Sequence, residues 1–368
     1  MERVICSKAN YLVDVLGHDV TILTTDQDRN PNFYSFSDKI RFIDLAINYS
    51  ELNKYPFPKR IWEQRKKMKN HLTRLTETLE KLKADIVIST YTYEFTLLPL
   101  IKDGSKKIGE IHFSKTFLDI EIRHKKQPFL LKTAYMLANK RKFRFIRKYD
   151  KFVVLTKEDQ ENWKGYDNIA QIYNPLPFYP DTVSPLNTQR VVSVGRLNWQ
   201  KGFDLLIAAW KIVNKDFPDW QLDIFGKGEE REKLIALINQ FQLEKIVKIH
   251  QPTQEIVKEY SASSIYAMTS RYEGFGMVLV EAMACGLPCV SFDCPYGPSE
   301  IIRDGKTGFL VEDGNIGQLA EKIKMLITDE NRRKKMGHNA RKDIYRFSIE
   351  VIMTQWETLF EQVIRNTK

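Results

Sequence analysis

The chain has 368 residues, of which 43% are hydrophobic and 28% charged, about two domains in length with enough apolar content for two cores, which excludes a disordered or low-complexity polypeptide. No apolar run approaches the roughly 20 residues that cross a bilayer, and Met1-Glu2-Arg3-Val4 lacks the basic-then-apolar order of a signal peptide, so the expected compartment is the cytoplasm. Cys6, Cys285, Cys289 and Cys294 form no CxxC pair and have no histidine at ligand spacing, which argues against a metal or disulfide framework.

The formal net charge of +10 is concentrated in two runs: seven basic residues and one acid from Lys59 to Arg74, and eleven basic residues and one acid from Arg123 to Lys151. A solvated helix face is the commonest fate of such runs. Nucleic-acid binding is a second reading. An anionic membrane surface is a third, because apolar residues such as Phe143, Phe145 and Ile146 are interleaved with the charges.

Taken in chain order, residues 2–16 carry apolar side chains at 5, 9, 12, 13 and 16, the spacing of a helix that Gly17 can end. Residues 18–25 read as a strand, 59–82 as a helix, and 84–90 as a strand. Residues 107–113 read as a strand ending at His112. Residues 129–149 read as a long basic helix and 151–156 as a strand. The segment from Asn174 to Pro185, rich in Pro, Asp and Ser, reads as a linker. A second alternating series follows: strands at 190–195, 221–225, 247–250, 265–269 and 288–292, with helices at 203–214, 229–241, 255–262 and 277–285. Such alternation predicts parallel sheets wrapped on both faces, hence two doubly wound domains. Ligands of these sheets bind beyond the C-terminal strand ends, so two such domains are expected to face each other across a cleft.

The segment Arg271-Tyr272-Glu273-Gly274-Phe275-Gly276-Met277-Val278-Leu279-Val280-Glu281 is a strand end, a Gly-containing turn and a helix. Gly274 and Gly276 permit close approach of backbone to a ligand. The first helix amides, from Gly276 to Val278, lack intrahelical partners and suit a phosphate. Glu273 lies at the mouth of this turn, and Glu281 lies about 7 Å further along the helix at ~1.5 Å per residue. Carboxylates so placed can bind sugar hydroxyls on either side of a phosphate. Read alone, the same segment is equally an ordinary helix with acids near its N-terminus.

This segment resembles the E-x7-E motif of the retaining glycosyltransferases of family four. Other matches occur in order. Val194-Gly195-Arg196-Leu197 with Lys201-Gly202 resembles that family's donor-phosphate loop, and Phe225-Gly226-Lys227-Gly228 its second glycine turn. Pro298-Ser299-Glu300-Ile301-Ile302 and Asp304-Gly305-Lys306-Thr307-Gly308 resemble its terminal motif. His112 matches its N-domain histidine. The resemblance implies a GT-B fold. Its domains would be an acceptor-binding domain at 1–174, a nucleotide-sugar-binding domain at 186–348, and a C-terminal helix at 349–368 packing back on the first domain.

The resemblance also implies roles. Arg196 and Lys201 would neutralise the donor diphosphate as the sugar leaves. Glu281 would hold ribose hydroxyls, and Glu273 with the amides of Phe275 and Gly276 would hold the donor sugar. His112 would reach that sugar from the other domain. Gly195, Gly226, Gly274, Met277 and Val278 would complete the donor site. The Cys294-Pro295-Tyr296-Gly297-Pro298-Ser299-Glu300 run resembles members that use UDP-hexoses or UDP-N-acetylhexosamines on lipid-linked oligosaccharides. No metal and no cofactor are expected, because the one DxD, Asp26-Gln27-Asp28, follows an N-domain strand and reads as a solvated loop. The expected partners are a nucleotide-sugar donor, a glycan or lipid-linked acceptor and the inner face of an anionic membrane, with no nucleic acid. The rival readings are an epimerase or phosphorylase on the same fold and a catalytically impaired nucleotide-sugar-binding protein.

The chain departs from the family at its start. Such a domain should open with a strand and a glycine-rich turn, whereas Met1-Glu2-Arg3-Val4 already reads as the first helix. A central strand is therefore expected to be missing, leaving its neighbours with unpaired backbone groups.

Overall fold

The computed structural model describes residues 1–28, 30–117, 120 and 128–365. Two units divide the chain, one formed by Met1–Leu155, Asp159–Pro175 and Ile349–Lys368, the other by Thr156–Glu158 and Leu176–Ser348.

The N-terminal unit begins with the helix Glu2–Asp14. It continues through β1 (Thr21–Thr24), β2 (Arg41–Asp44), the helix Lys59–Leu82, β3 (Ile86–Ser89), β4 (Lys106–Glu110), the helix Phe129–Phe143, β5 (Lys151–Val154) and β6 (Ile169–Gln171). The helix Ile349–Arg365 returns to it and packs beside the first helix. All its strand pairs are parallel, but they form two sheets, β1-β2 and β3-β4-β5-β6. Among the described residues no strand pairs with both β1 and β3, and every residue of β1 is half-buried. The core gathers Leu79, Phe95, Ile146, Phe152 and Trp163. Gly109 in β4 makes room for it, because a Cβ there would lie 2.6 Å from the Phe152 ring.

Several expectations change here. The first helix buries Val4, Cys6, Lys8, Ala9 and Val13, whereas Leu16 is exposed, so the buried face is rotated from the apolar spacing and includes a lysine. β4 ends at Glu110, which places His112 in the bend beyond the strand. The basic helix ends at Phe143 and tightens into a 3-10 turn, Arg144–Lys148. Residues 123–127 of the second basic run lie outside the described residues. Strands β2 and β6 were not expected, being short and, in β2, mostly exposed.

The C-terminal unit carries β7 (Arg190–Val194), β8 (Gln221–Phe225), β9 (Val247–His250), β10 (Ile265–Met268), β11 (Cys289–Phe292) and β12 (Gly308–Val311). They form one parallel sheet in the order β12-β11-β10-β7-β8-β9. The helices Phe203–Asp216 and Ile316–Thr328 pack against each other, and Leu206, Trp210, Val213, Ile224 and Ile323 build a continuous core with the strands. β7, β8, β10 and β11 are mostly buried, as a sheet covered on both faces requires, whereas in the edge strand β9 only Val247 is buried.

Candidate functional site

In the C-terminal sheet β7 and β10 are neighbours, and from that pair the strand order runs outward in opposite directions. Loops leaving the C-terminal ends of such a pair diverge and open a crevice. Here those loops are the segment after Val194 and the segment after Met268, the two places where the motifs expected to bind the donor fall.

Glycines allow these loops to touch. The Gly195 amide donates to Phe225 O at 3.0 Å, and a Cβ on Gly226 would lie 1.9 Å from Gly195 O. Gly202, at φ +62°, would bring a Cβ to 2.1 Å from Thr269 O. Side chains lock the same junction. The Arg271 amide donates to Gln200 O at 2.8 Å, its guanidinium reaches Asp204 Oδ2 at 2.6 Å, and the Gln200 side-chain amide donates to Tyr272 O at 3.0 Å.

Within this frame Lys201 Nζ lies 2.5 Å from Glu273 Oε1, and the Ser270 hydroxyl donates to the same oxygen at 2.6 Å. Both charged side chains are largely withdrawn from solvent, 14% and 7% exposed, so removing either one would strand the other away from water. Gly276, at φ +98°, starts the helix Met277–Ala284, whose first amides have no partners inside the helix. Glu281 is buried on that helix, and the Tyr260 hydroxyl donates to its Oε2 at 3.2 Å. Burial, then the Glu281 charge, pushes the Tyr260 phenol well above its ordinary range, so it is a fixed donor. Arg196 is exposed, with no salt bridge among the described residues.

Lys201, Glu273, Glu281 and the glycines Gly195, Gly226, Gly274 and Gly276 thus belong to one sheet edge, along with Phe275, Met277 and Val278. His112 belongs to the N-terminal unit. Its side chain is 9% exposed, with Nε2 3.5 Å from Glu110 Oε1, and neither ring nitrogen has a hydrogen-bond partner among the described residues. Burial lowers its pKa to about 4, against the raising effect of Glu110. Asp26 of the DxD instead accepts the amides of Tyr49 and Ser50, both at 2.8 Å, and so caps the 3-10 turn Tyr49–Lys54. The cysteines are free and buried; burial pushes the Cys285 thiol to about 12, against nucleophilic use.

Groups not expected from the sequence are Gln200, Asp204, Tyr260 and Ser270 around the motifs of the C-terminal unit and, within the N-terminal unit, Lys8 and Glu110 around His112. Tyr260 and Asp204 are far in sequence from their partners, and no local spacing announces them. Lys8 was legible only as a charge at a helical interval from Val4.

Comparison with known proteins supplies the remaining observations. Residues 180–343 match the family described as glycosyl transferases group 1. An uncharacterized glycosyltransferase of Haemophilus influenzae is 30% identical over 362 residues, covering 97% of this chain and 94% of its own. The amylovoran biosynthesis glycosyltransferase AmsD of Erwinia amylovora is 35% identical over 220 residues, 57% of this chain and 62% of its own. Staphylococcus aureus TarM, solved as a variant in complex with Fondaparinux, alpha-GlcNAc-glycerol and UDP, superposes with a TM-score of 0.65 at 28% identity, covering 78% of this chain and 58% of TarM. The chain thus spans about three fifths of the length of AmsD and TarM. Among the described residues no helix is long and apolar enough to cross a membrane.

Proposed function

From the premise that the chain belongs to the glycosyltransferases of group 1, with a GT-B fold, we propose a retaining enzyme of family four that moves a hexose or N-acetylhexosamine from a UDP-linked donor. The acceptor is a glycan or lipid-linked glycan in cell-surface polysaccharide synthesis. The observation that carries this reading is the Lys201–Glu273–Ser270 cluster beside the helix start at Met277, at the switch point of the sheet.

A lysine ammonium has three donors, so Lys201 can keep Glu273 and still meet a diphosphate. Arg196 and the amides at the start of the helix Met277–Ala284 share that charge, and their attraction grows as the sugar departs. Glu273, with the amides of Phe275 and Gly276, orients the sugar. Glu281, steadied by Tyr260, holds the ribose hydroxyls. His112 is assigned to act on the donor sugar. The leaving phosphate oxygen takes the acceptor proton on the face from which it departs, so the anomeric configuration is kept and no metal is required. The UDP and alpha-GlcNAc-glycerol bound to TarM and the amylovoran role of AmsD support the donor and acceptor classes. An anionic membrane on the cytoplasmic side is the proposed seat of the acceptor. Phe57, Ile61 and Trp62, 79%, 40% and 61% exposed, project among Lys59, Arg60 and Lys66 and support this.

The test is nucleotide release from a panel of UDP- and GDP-sugars in excess chelator, with lipid-linked glycans as acceptors and the product anomer read by NMR. We expect turnover of a UDP-sugar with retained configuration. An inverted product, or activity lost to chelator and restored by metal, would contradict the mechanism. Epimerised donor, or tight donor binding with no transfer to any acceptor, would favour another activity on this fold.

A further inference from the structure

We infer that Lys8 is a positioning residue for the transfer reaction: by tying down the Glu110 carboxylate it leaves His112 a neutral hydrogen-bonding group. The inference rests on the proposed action of His112 on the donor sugar.

Lys8 sits on the buried face of the helix Glu2–Asp14, one turn from Val4. Its Nζ is 2.6 Å from each oxygen of Glu110, and the two side chains are only 10% and 3% exposed. The Trp356 ring, from the helix Ile349–Arg365, covers the ammonium at 4.1 Å and completes its separation from water. Glu110 ends β4, and its Oε1 lies 3.5 Å from His112 Nε2. Among the described residues, the charged groups that act on His112 are Glu110, Lys8 and the Met1 amino group.

A buried ion pair is a poor source of stability, because desolvation consumes most of its Coulomb gain, and apolar side chains often serve as well. The position of this pair therefore points to a task beyond packing. Burial raises the Glu110 carboxyl, but Lys8, then His112, more than offset that and hold it below its ordinary range, so Glu110 is ionised. With Lys8 present the carboxylate is already neutralised, and His112 need not take a proton. With the ammonium removed, a fully buried carboxylate faces an imidazole at 3.5 Å, and the imidazole takes up a proton from solvent to offset that charge. That outcome is damaging in two ways. The Nε2–H is drawn to Glu110, and a cation is placed beside a sugar that gathers positive charge as its bond to phosphate lengthens.

The experiment uses the full chain with 13C-labelled histidine, with His112 assigned by comparison with His112→Asn, and pH profiles of nucleotide release from a UDP-sugar. In the parent protein His112 stays neutral at pH 5. In Lys8→Met it is expected to titrate above about pH 6, moving the acid limb of kcat upward by more than about one pH unit. In Lys8→Met/Glu110→Gln both charges are gone, and the ring and the profile return toward the parent. A loss due only to packing is not repaired by that second substitution. Lys8→Gln, which keeps a hydrogen bond without the charge, takes the same measurement where Lys8→Met does not fold. A His112 signal that titrates in Lys8→Met and Lys8→Gln as in the parent overturns the inference. Full activity in His112→Asn instead overturns the role of His112, and is distinguishable because the ring titration is measured without donor.

Discussion

Glu273 receives the Lys201 ammonium and the Ser270 hydroxyl on a single oxygen, at 2.5 and 2.6 Å, in a site almost closed to water. Removing one partner of such a pair strands the other charge, so Lys201→Met should cost about 3 kcal/mol of stability and at least about tenfold in turnover, or ~1.4 kcal/mol. Lys201→Met/Glu273→Gln should recover the unfolding temperature but not the activity. A double variant with parent-like turnover would make the pair a structural brace only. Tyr260 acts more gently. Tyr260→Phe removes one hydrogen bond to Glu281, about 1 kcal/mol, so the donor KM should rise roughly fivefold with kcat little altered, as expected for binding shared by ground and transition states. An unchanged KM would detach Glu281 from the nucleotide.

At the scale of elements, the glycine turns after β7 and β8 are set by contact. Because a Cβ on Gly226 would lie 1.9 Å from Gly195 O, Gly226→Ala should displace the phosphate loop and abolish detectable UDP binding by calorimetry; binding within threefold of the parent would show that the loop yields. The helix Lys59–Leu82 buries little beyond His71, Leu75 and Leu79, and its basic surface should bind anionic vesicles. Raising salt should weaken that binding, since charges are screened beyond about 8 Å at physiological ionic strength, and Trp62→Ala should reduce what remains. Equal partition onto neutral vesicles would refute it. The same contrast between units explains what could be read from sequence. In the C-terminal sheet β10 and β11 are nearly continuous apolar runs, Ile265-Tyr266-Ala267-Met268 and Cys289-Val290-Ser291-Phe292, while β8 and β9 alternate apolar and polar residues, and the expected bounds of β8 and β9 match the structure to the residue. The motif residues around Glu273 and Glu281 were legible because they are contiguous. In the N-terminal unit β1 falls within the strand expected at 18–25, whereas β2 is Arg41-Phe42-Ile43-Asp44, mostly exposed, so neither burial nor alternation marks it. Lys8 and Glu110 are 102 residues apart, and only the fold joins them.

For the whole molecule, each unit has its own hydrophobic core, and their responses to acid should differ. His71 and His112 are both in the N-terminal unit, and burial lowers the pKa of each. A histidine lowered in the folded state favours unfolding once it must accept a proton. For His112, stability is complete above its ordinary value of 6.5 and is lost as pH falls towards about 4, where the folded form at last protonates. Glu110 adds to the same trend lower down, because its lowered carboxyl supports the fold above 4.5 and ceases to do so in stronger acid. Asp159, whose carboxyl is raised by burial, works in the opposite sense, but Asp103 and Glu51, whose carboxyls are lowered beside Lys107 and Lys67, act with His71, His112 and Glu110. The contributions of His71, His112 and Glu110 all fall on the N-terminal unit. Limited proteolysis at pH 7.5 and pH 5, with cut sites mapped by mass spectrometry, should therefore show the N-terminal unit becoming susceptible first, while segments between 190 and 340 stay protected. His71→Gln, a neutral replacement, should narrow the gap. Cleavage appearing first in the C-terminal unit would mean that these histidines do not govern acid stability, and would remove the electrostatic account of the N-terminal core.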